Sequence, residues 1–165
     1  FIEYFNRHPE VKLIIAPHVI DENHLVEIIR KLKRPYVRYT RADEKNVRKA
    51  DCLIIDCFGL LSSIYRYGEI AYIGGGFGVG IHNTLEAAVY GIPVIFGPKY
   101  QKFQEAILLL EAKGAFSVKD YEELKTLLDR MLTDEVFLRE SGMNASNYVT
   151  GNAGATDKIM SMINF

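Results

Sequence analysis

The chain has 165 residues, of which 48% are hydrophobic and 25% are charged, a balance that fits a globular domain and excludes wholesale disorder. Its 20 Lys and Arg residues are offset by 21 Asp and Glu residues, and the resulting net charge of −1 disfavours a nucleic-acid-binding protein. No apolar run approaches the ~20 residues of a membrane-spanning helix.

Short β-branched runs alternate along the chain with amphipathic stretches. The first five residues resemble the middle of a helix, so we expect the chain to be a fragment of a longer protein. Strands are predicted at 11–16, 36–39, 52–56, 70–73, 93–96 and 115–118. Helices are predicted at 21–32, 60–67, 82–90, 103–113, 120–132, 134–148 and 155–163. Gly91 and Gly114 are expected to end two of these helices in a left-handed conformation.

Most of the predicted strands are nearly continuously apolar, which is typical of strands buried on both faces of a parallel sheet. Strands that alternate with helices indicate βαβ units. The sequence therefore predicts an α/β fold, a Rossmann-like three-layer domain with a parallel sheet and helices on both faces. No repeat or linker divides the chain, so we expect residues 1–165 to form one domain.

Ligands of open parallel α/β sheets bind beyond the carboxyl ends of the strands. Four predicted loops lie there, at 17–18, 56–59, 74–82 and 97–102. The third carries five glycines in seven residues, Gly74, Gly75, Gly76, Gly78 and Gly80. Such a loop lets backbone N–H groups approach an anion, and the helix predicted to follow directly would add its positive end. A tight strand-to-helix turn explains the glycines equally well, because neither the dinucleotide nor the P-loop motif is present.

Several polar residues in these loops have both a structural and a functional interpretation. Asn83 and Glu86 have the spacing of a helix capping box, but a carboxylate at position 86 also suits the two hydroxyls of a ribose. Asp56 ends a buried strand, where it accepts either backbone N–H groups of the next loop or a ligand. His82 is a polar residue at a helix start or a ligand contact. Lys99 and Lys102 are surface cations or partners of a phosphate or a sugar acid.

Four segments in order resemble one known family: IGGGF at 73–77, GIHNTLEAA at 80–88, GIPV at 91–94 and GP at 97–98, followed by Phe103. They are similar to the C-terminal domain of 3-deoxy-D-manno-octulosonic acid (Kdo) transferase, and segments 13–18 and 56–60 lie where that family has nucleotide-facing loops. The resemblance covers nearly the whole chain. It departs from the family at three positions, where Ile81 replaces a glycine, Lys102 an asparagine and His18 a frequent arginine.

The resemblance implies the donor-binding half of a GT-B glycosyltransferase that transfers Kdo from CMP-Kdo to lipid A precursor at the cytoplasmic face of the bacterial inner membrane. The acceptor site, the catalytic base and the membrane association would belong to an N-terminal domain outside this chain, and the first strand of this domain is expected upstream as well. No metal or cofactor is implied. The residues expected to contact the donor are His18, Asp56, Gly59, Gly74, Gly75, Gly76, His82, Asn83, Glu86 and Lys102.

Two other classes of function remain open at this point. One is a glycosyltransferase of the same fold that uses a UDP-sugar, or an enzyme like UDP-GlcNAc 2-epimerase. The other is a nucleotide-binding module without catalytic activity, because these residues include no certain catalytic base.

Overall fold

A computed structural model describes residues 1–154 and residue 160. The chain divides into two compact units, residues 1–64 and residues 65 onward, and each contains its own sheet. The predicted helix at 155–163 lies outside the described residues except for position 160.

The first unit is built on a parallel sheet of three strands in the order β1-β3-β2. Its elements are α1 (Ile2–Arg7), β1 (Leu13–Ile15), α2 (Glu22–Lys31), β2 (Tyr36–Arg38), a 3₁₀ turn (Tyr39–Arg41), α3 (Glu44–Val47), β3 (Cys52–Ile54) and α4 (Leu61–Ile64). The core of this unit joins α1 and α2 to the sheet through Phe5, Leu13, Leu25, Cys52 and Ile54. The helical character expected of the first residues is confirmed by α1.

The second unit is built on another parallel sheet of three strands, in the order β4-β5-β6. Its elements are a 3₁₀ turn (Tyr65–Tyr67), β4 (Ala71–Ile73), α5 (Leu85–Ala88), β5 (Val94–Phe96), α6 (Gln104–Glu111), β6 (Ala115–Ser117), α7 (Tyr121–Thr133) and α8 (Glu135–Asn152). The central strand β5 is completely buried, and α8 contacts α5, α6 and α7.

The predicted α/β class with parallel strands is confirmed, and all six strands occur within their predicted ranges. The hydrogen-bonded strands form two sheets where one was expected. Two helix ends also differ in detail. Gly91 takes the expected left-handed conformation with φ +72°, whereas after α6 it is Lys113 that does so, with φ +59°. Gly114 is required for space instead, because a Cβ there would lie 2.6 Å from the backbone of Ala145 in α8.

The helix predicted at 82–90 is wrong in length, because only α5, a single turn at Leu85–Ala88, is helical. The Asn83 side chain accepts a hydrogen bond from the backbone N–H of Leu85 at 2.9 Å, which satisfies a donor at the helix start. A helix of one turn has little macrodipole, so the positive helix end expected beside the glycine loop contributes little there.

Candidate functional site

The glycine loop, residues 74–80, leaves the carboxyl end of β4 as a series of turns. Gly75 has φ +88°, and a Cβ on it would lie 2.2 Å from the carbonyl oxygen of Gly80. The carbonyl of Gly75 in turn accepts the N–H of Gly78 at 2.8 Å and that of Gly80 at 3.3 Å. Only glycine fits position 75, so part of the glycine content serves the turn itself.

Gly76 is required by a second close contact, with the loop that follows β5. A Cβ on Gly76 would lie 2.6 Å from the backbone nitrogen of Gly97, and a Cβ on Gly97 would lie 2.7 Å from the carbonyl carbon of Gly76. Lys99 joins the same two loops, because its N–H donates to the carbonyl of Gly76 at 3.0 Å and its Nζ donates to that of Gly78 at 2.8 Å. The glycine loop is therefore held from the side by the loop at 97–102.

Backbone donors remain available in this loop. Within the described part of the chain, no hydrogen bond is donated by the N–H groups of Gly75, Gly76 and Phe77, whereas their neighbours Gly78 and Gly80 donate inside the loop. The loop tip is exposed, with Val79 fully accessible to solvent. Successive unpaired N–H groups in a turn form a concave site for an anion.

Asn83 and Glu86 bond to each other at the end of this segment. The Nδ2 of Asn83 donates to Oε1 of Glu86 at 3.0 Å. This is not the reciprocal capping box, because Glu86 accepts from the side chain of Asn83 and not from its backbone. Glu86 is half-buried, and its charge adds to the effect of burial in raising the pKa of the Tyr65 phenol. Its second oxygen, Oε2, accepts no hydrogen bond from the described residues.

The other candidates of the second unit surround the same loop. Gly74 and Gly75 lie next to the ring of His82. A Cβ on Gly74 would lie 3.7 Å from Cδ2 of His82, and a Cβ on Gly75 would lie 3.4 Å from its Nε2. His82 and Lys102 are exposed. The structure thus brings His82 together with Gly74 and Gly75 at the carboxyl end of β4, and Asn83 and Glu86 follow His82 directly along the chain. Lys102 lies on the loop after β5, which contacts Gly76 through Gly97 and Lys99.

Asp56 belongs to the first unit, where it is a buried structural anchor at the carboxyl end of β3. Its side chain is 0% exposed. Oδ1 accepts the backbone N–H of Thr40 at 2.9 Å, and Oδ2 accepts the hydroxyl of Thr40 at 2.6 Å and Nε of Arg38 at 2.8 Å. Burial alone would raise the pKa of Asp56, but the bonds from Thr40 and Arg38 outweigh it and lower the pKa to about 2. Contact between this carboxylate and a ligand would require these bonds to open.

Arg38 connects Asp56 to the start of α2. Its Nη1 donates to both carboxylate oxygens of Glu22, at 2.7 Å and 2.9 Å, and the side chain of Arg38 is only 13% exposed. These two carboxylates raise the pKa of the guanidinium, Glu22 more strongly than Asp56. Three loops at the carboxyl edge of this sheet, those after β1, β2 and β3, are therefore held by one charged network.

His18 and Gly59 lie on two of these loops. His18 is exposed between β1 and α2, and Gly59 is exposed after β3 with φ +87°. A Cβ on Gly59 would meet nothing within 4 Å, so the backbone conformation alone requires glycine there. Sequence reasoning missed Arg38, Thr40 and Glu22, and the only available signal was a lone arginine at the end of a predicted strand.

The described residues contain no group of three or more His, Cys, Asp or Glu side chains placed to hold a metal ion. Among these residues, no helix combines the length and the apolar character that crossing a bilayer requires.

Comparison with known sequences leads to the same family as the order of the motifs. The chain is 36% identical over 135 residues to the 3-deoxy-D-manno-octulosonic acid transferase of Aquifex aeolicus, an alignment that covers 81% of this chain and 37% of that protein. The chain belongs to the Kdo transferase family. A bifunctional glycosyltransferase/methyltransferase of Fusobacterium nucleatum is also similar, with 30% identity over 159 residues, which are 90% of this chain and 25% of that protein. No protein-family model matches the chain.

The fold agrees with the same family. The crystal structure of the C-terminal CMP-Kdo binding domain of WaaA from Acinetobacter baumannii superposes with a TM-score of 0.75, at 19% identity, over 89% of this chain and 78% of that one. This similarity confirms the Rossmann-like α/β fold of a GT-B C-terminal domain. The alignment with the Aquifex Kdo transferase spans 37% of the length of that relative.

Proposed function

We propose that this chain is the donor-binding part of a glycosyltransferase that moves Kdo from CMP-Kdo to lipid A precursor. The observation that carries the proposal is the glycine loop at the carboxyl end of β4, with free N–H groups at Gly75, Gly76 and Phe77 and the Asn83–Glu86 pair beside it. The family membership of the chain supports the same reaction.

The N–H groups of the glycine loop suit the phosphate of the donor. Transfer of Kdo breaks the bond between its anomeric carbon and the phosphate oxygen of CMP, and negative charge grows on that phosphate as the bond breaks. Fixed backbone donors stabilise such charge without reorganising during the reaction. Lys99 holds the loop by its bonds to Gly76 and Gly78, so the donors are in place before the ligand arrives.

Glu86 suits the ribose of the nucleotide. Asn83 occupies Oε1 of Glu86 and orients the carboxylate, while Oε2 remains to accept a hydroxyl hydrogen bond. His82 and Lys102 are exposed beside the glycine loop and would contact the phosphate or the carboxylate of the sugar acid. In the first unit, His18 and Gly59 lie on loops that Asp56 and Arg38 hold in place, so we assign Asp56 a positioning role.

The acceptor site, the base that deprotonates the acceptor hydroxyl, and the association with the cytoplasmic face of the inner membrane belong, in this proposal, to the part of the enzyme outside this chain. The reaction inverts the anomeric carbon and needs neither metal nor cofactor. In this proposal the acceptor site sets which acceptor is used, whereas the residues of this chain set which nucleotide-sugar is bound.

Isothermal titration calorimetry of the full-length enzyme with CMP, UDP and CMP-Kdo tests the proposal. We expect CMP and CMP-Kdo to bind, and UDP to bind at least about tenfold more weakly than CMP, because a donor site selective for cytosine leaves hydrogen-bonding groups unpaired when uracil is bound. Stronger binding of UDP than of CMP would contradict the Kdo assignment and favour a UDP-sugar transferase or a 2-epimerase-like enzyme. Full-length protein that binds CMP but does not transfer Kdo would favour a nucleotide-binding module.

The variant Glu86→Gln tests the role of the carboxylate, with the exposed Glu111→Gln on α6 as the matched control. We expect Glu86→Gln to weaken CMP binding by about tenfold to a hundredfold, the usual contribution of a hydrogen bond to a charged group, with an unchanged melting temperature. Equal CMP binding by both variants would leave the Asn83–Glu86 pair with a purely structural role.

A further inference from the structure

The first unit carries a cleft between α1 and the end of α2, with a volume of about 380 Å³. This volume lies in the range of small-molecule sites. The residues that line the cleft come from two short segments: Ile2, Glu3, Asn6 and Arg7 of α1, and Arg30, Lys31 and Lys33 at the end of α2.

The two walls of the cleft are joined by one side chain. The Nδ2 of Asn6 donates to the carbonyl oxygen of Lys31 at 2.8 Å, and its Oδ1 accepts the backbone N–H of Lys33 at 2.9 Å. The amide of Asn6 thus fixes α1 against the last turn of α2. The side chains of Lys31 and Lys33 project from a backbone that is held in place.

The cleft is strongly basic, although the whole chain has a net charge of −1. It contains four cations and one carboxylate, and that carboxylate, Glu3, pairs with Arg7 at 2.6 Å. In the described part of the chain, no carboxylate lies within ion-pair distance of Arg30, Lys31 or Lys33. The C-terminal end of α2 carries only about half a unit of negative charge, so it neutralises only a small part of the positive charge of these cations.

We propose that this cleft is a binding site for a phosphate-bearing anion. An arginine and two lysines around one concave surface provide the fork and the point charges that bind phosphate oxygens. The cleft lies at the end of α2, whereas Glu22 at the beginning of that helix belongs to the charged network with Arg38. The site is therefore separated by the length of α2 from the loops that hold His18, and it is independent of the proposed donor site.

The test compares two triple variants of the full-length protein that change the charge equally. The first is Arg30→Gln with Lys31→Gln and Lys33→Gln, in the cleft. The control is Lys45→Gln with Arg48→Gln and Lys49→Gln, three exposed cations of the same unit outside the cleft. Two probes distinguish the source of the phosphate: inorganic pyrophosphate in calorimetry, and phosphatidylcholine vesicles containing phosphatidylglycerol in a sedimentation assay.

We expect the unmodified protein to bind at least one probe, and the cleft variant to bind it at least about tenfold more weakly than the control variant does. Three cations near an anionic lipid surface would give about a hundredfold loss in the vesicle assay. A loss of pyrophosphate binding confined to the cleft variant identifies a soluble phosphate ligand. A loss confined to the cleft variant in the vesicle assay alone identifies a lipid headgroup, because any vesicle binding through the part of the enzyme outside this chain is common to both variants. Equal losses in the two variants, or no binding of either probe, would overturn the proposal.

A measurement on the unmodified protein does not depend on the folding of any variant. Acetylation by acetic anhydride, followed by mass spectrometry, should be slowed at Lys31 and Lys33 by the probe that binds, and should be unchanged at Lys45 and Lys49. Equal protection at all four lysines, or none, would overturn the proposal. Unchanged CMP binding by the cleft variant would keep this result separate from the proposed function.

Discussion

Asp56→Asn should destabilise the first unit in a pH-dependent way. The carboxylate is fully buried, and its bonds to Thr40 and Arg38 overcome the effect of burial to lower the pKa from 3.8 to about 2. A shift of just under two units corresponds to about 2.4 kcal/mol of stability at neutral pH. Because the folded-state pKa is lowered, this contribution is complete above about pH 5 and is lost as the pH falls towards 2. The substitution would also leave Arg38 paired with Glu22 alone, so we expect a total loss of about 2–4 kcal/mol at pH 7.

Urea denaturation followed by circular dichroism at pH 7, 4 and 2.5 measures this loss. The difference in free energy of unfolding between the unmodified protein and Asp56→Asn should be largest at pH 7 and should shrink by about half or more at pH 2.5. The exposed Glu44→Gln on α3 serves as the control and should change the free energy by no more than about 0.5 kcal/mol. If the two proteins differ in free energy of unfolding by less than about 0.5 kcal/mol at pH 7, or by the same amount at pH 7 and pH 2.5, the ionised Asp56 carboxylate does not stabilise the first unit as argued.

Three further substitutions test other parts of the structure. Arg34→Met should lower the free energy of unfolding by about 3 kcal/mol, since Nη1 of this mostly buried arginine donates to three backbone carbonyls at 2.8–2.9 Å; a urea midpoint equal to that of the unmodified protein would contradict this. Gly75→Ala should lower the free energy of unfolding by about 1–3 kcal/mol and weaken CMP binding, because the new Cβ would lie 2.2 Å from the carbonyl oxygen of Gly80. The control is Gly151→Ala in α8, where a Cβ has no atom within 4 Å, and it should be neutral or stabilising in the same denaturation series. Lys99→Met removes an exposed bond to Gly78, so calorimetry should detect weaker CMP binding while the melting temperature stays within a degree or two; unchanged binding would contradict the positioning role of Lys99.

The order of strands and helices could be predicted from the sequence, because continuous apolar runs and amphipathic stretches are local signals. The lengths of the helices were less predictable. The helix expected at 82–90 shrinks to one turn, since the Asn83 side chain competes for the N–H of Leu85 and Gly91 ends the segment. Short helices of this kind depend on such side-chain bonds more than on the periodicity of apolar residues.

The candidate site could be predicted only where the local amino-acid composition indicates it. The glycine loop was visible as five glycines in seven residues. The role of Gly97 was not, because it depends on the pairing of β4 with β5. For Asp56 the sequence leaves open whether the carboxylate accepts N–H groups of the following loop or contacts a ligand. Its observed partners Arg38 and Thr40 instead precede it in sequence, because β3 lies beside β2 in the sheet. Which strands lie next to each other in the sheet depends on the whole fold, and no local sequence pattern indicates it.

The contact between Gly76 and Gly97 has a mechanical consequence. Two backbones that touch without side chains between them have no soft layer that could absorb a displacement. A ligand that shifts the loop after β4 should displace the loop after β5 as well, because Gly97 and Lys99 contact the glycine loop directly. We therefore expect the two loops to move together when a ligand binds, with Lys99 following the glycine loop to which its Nζ is bonded.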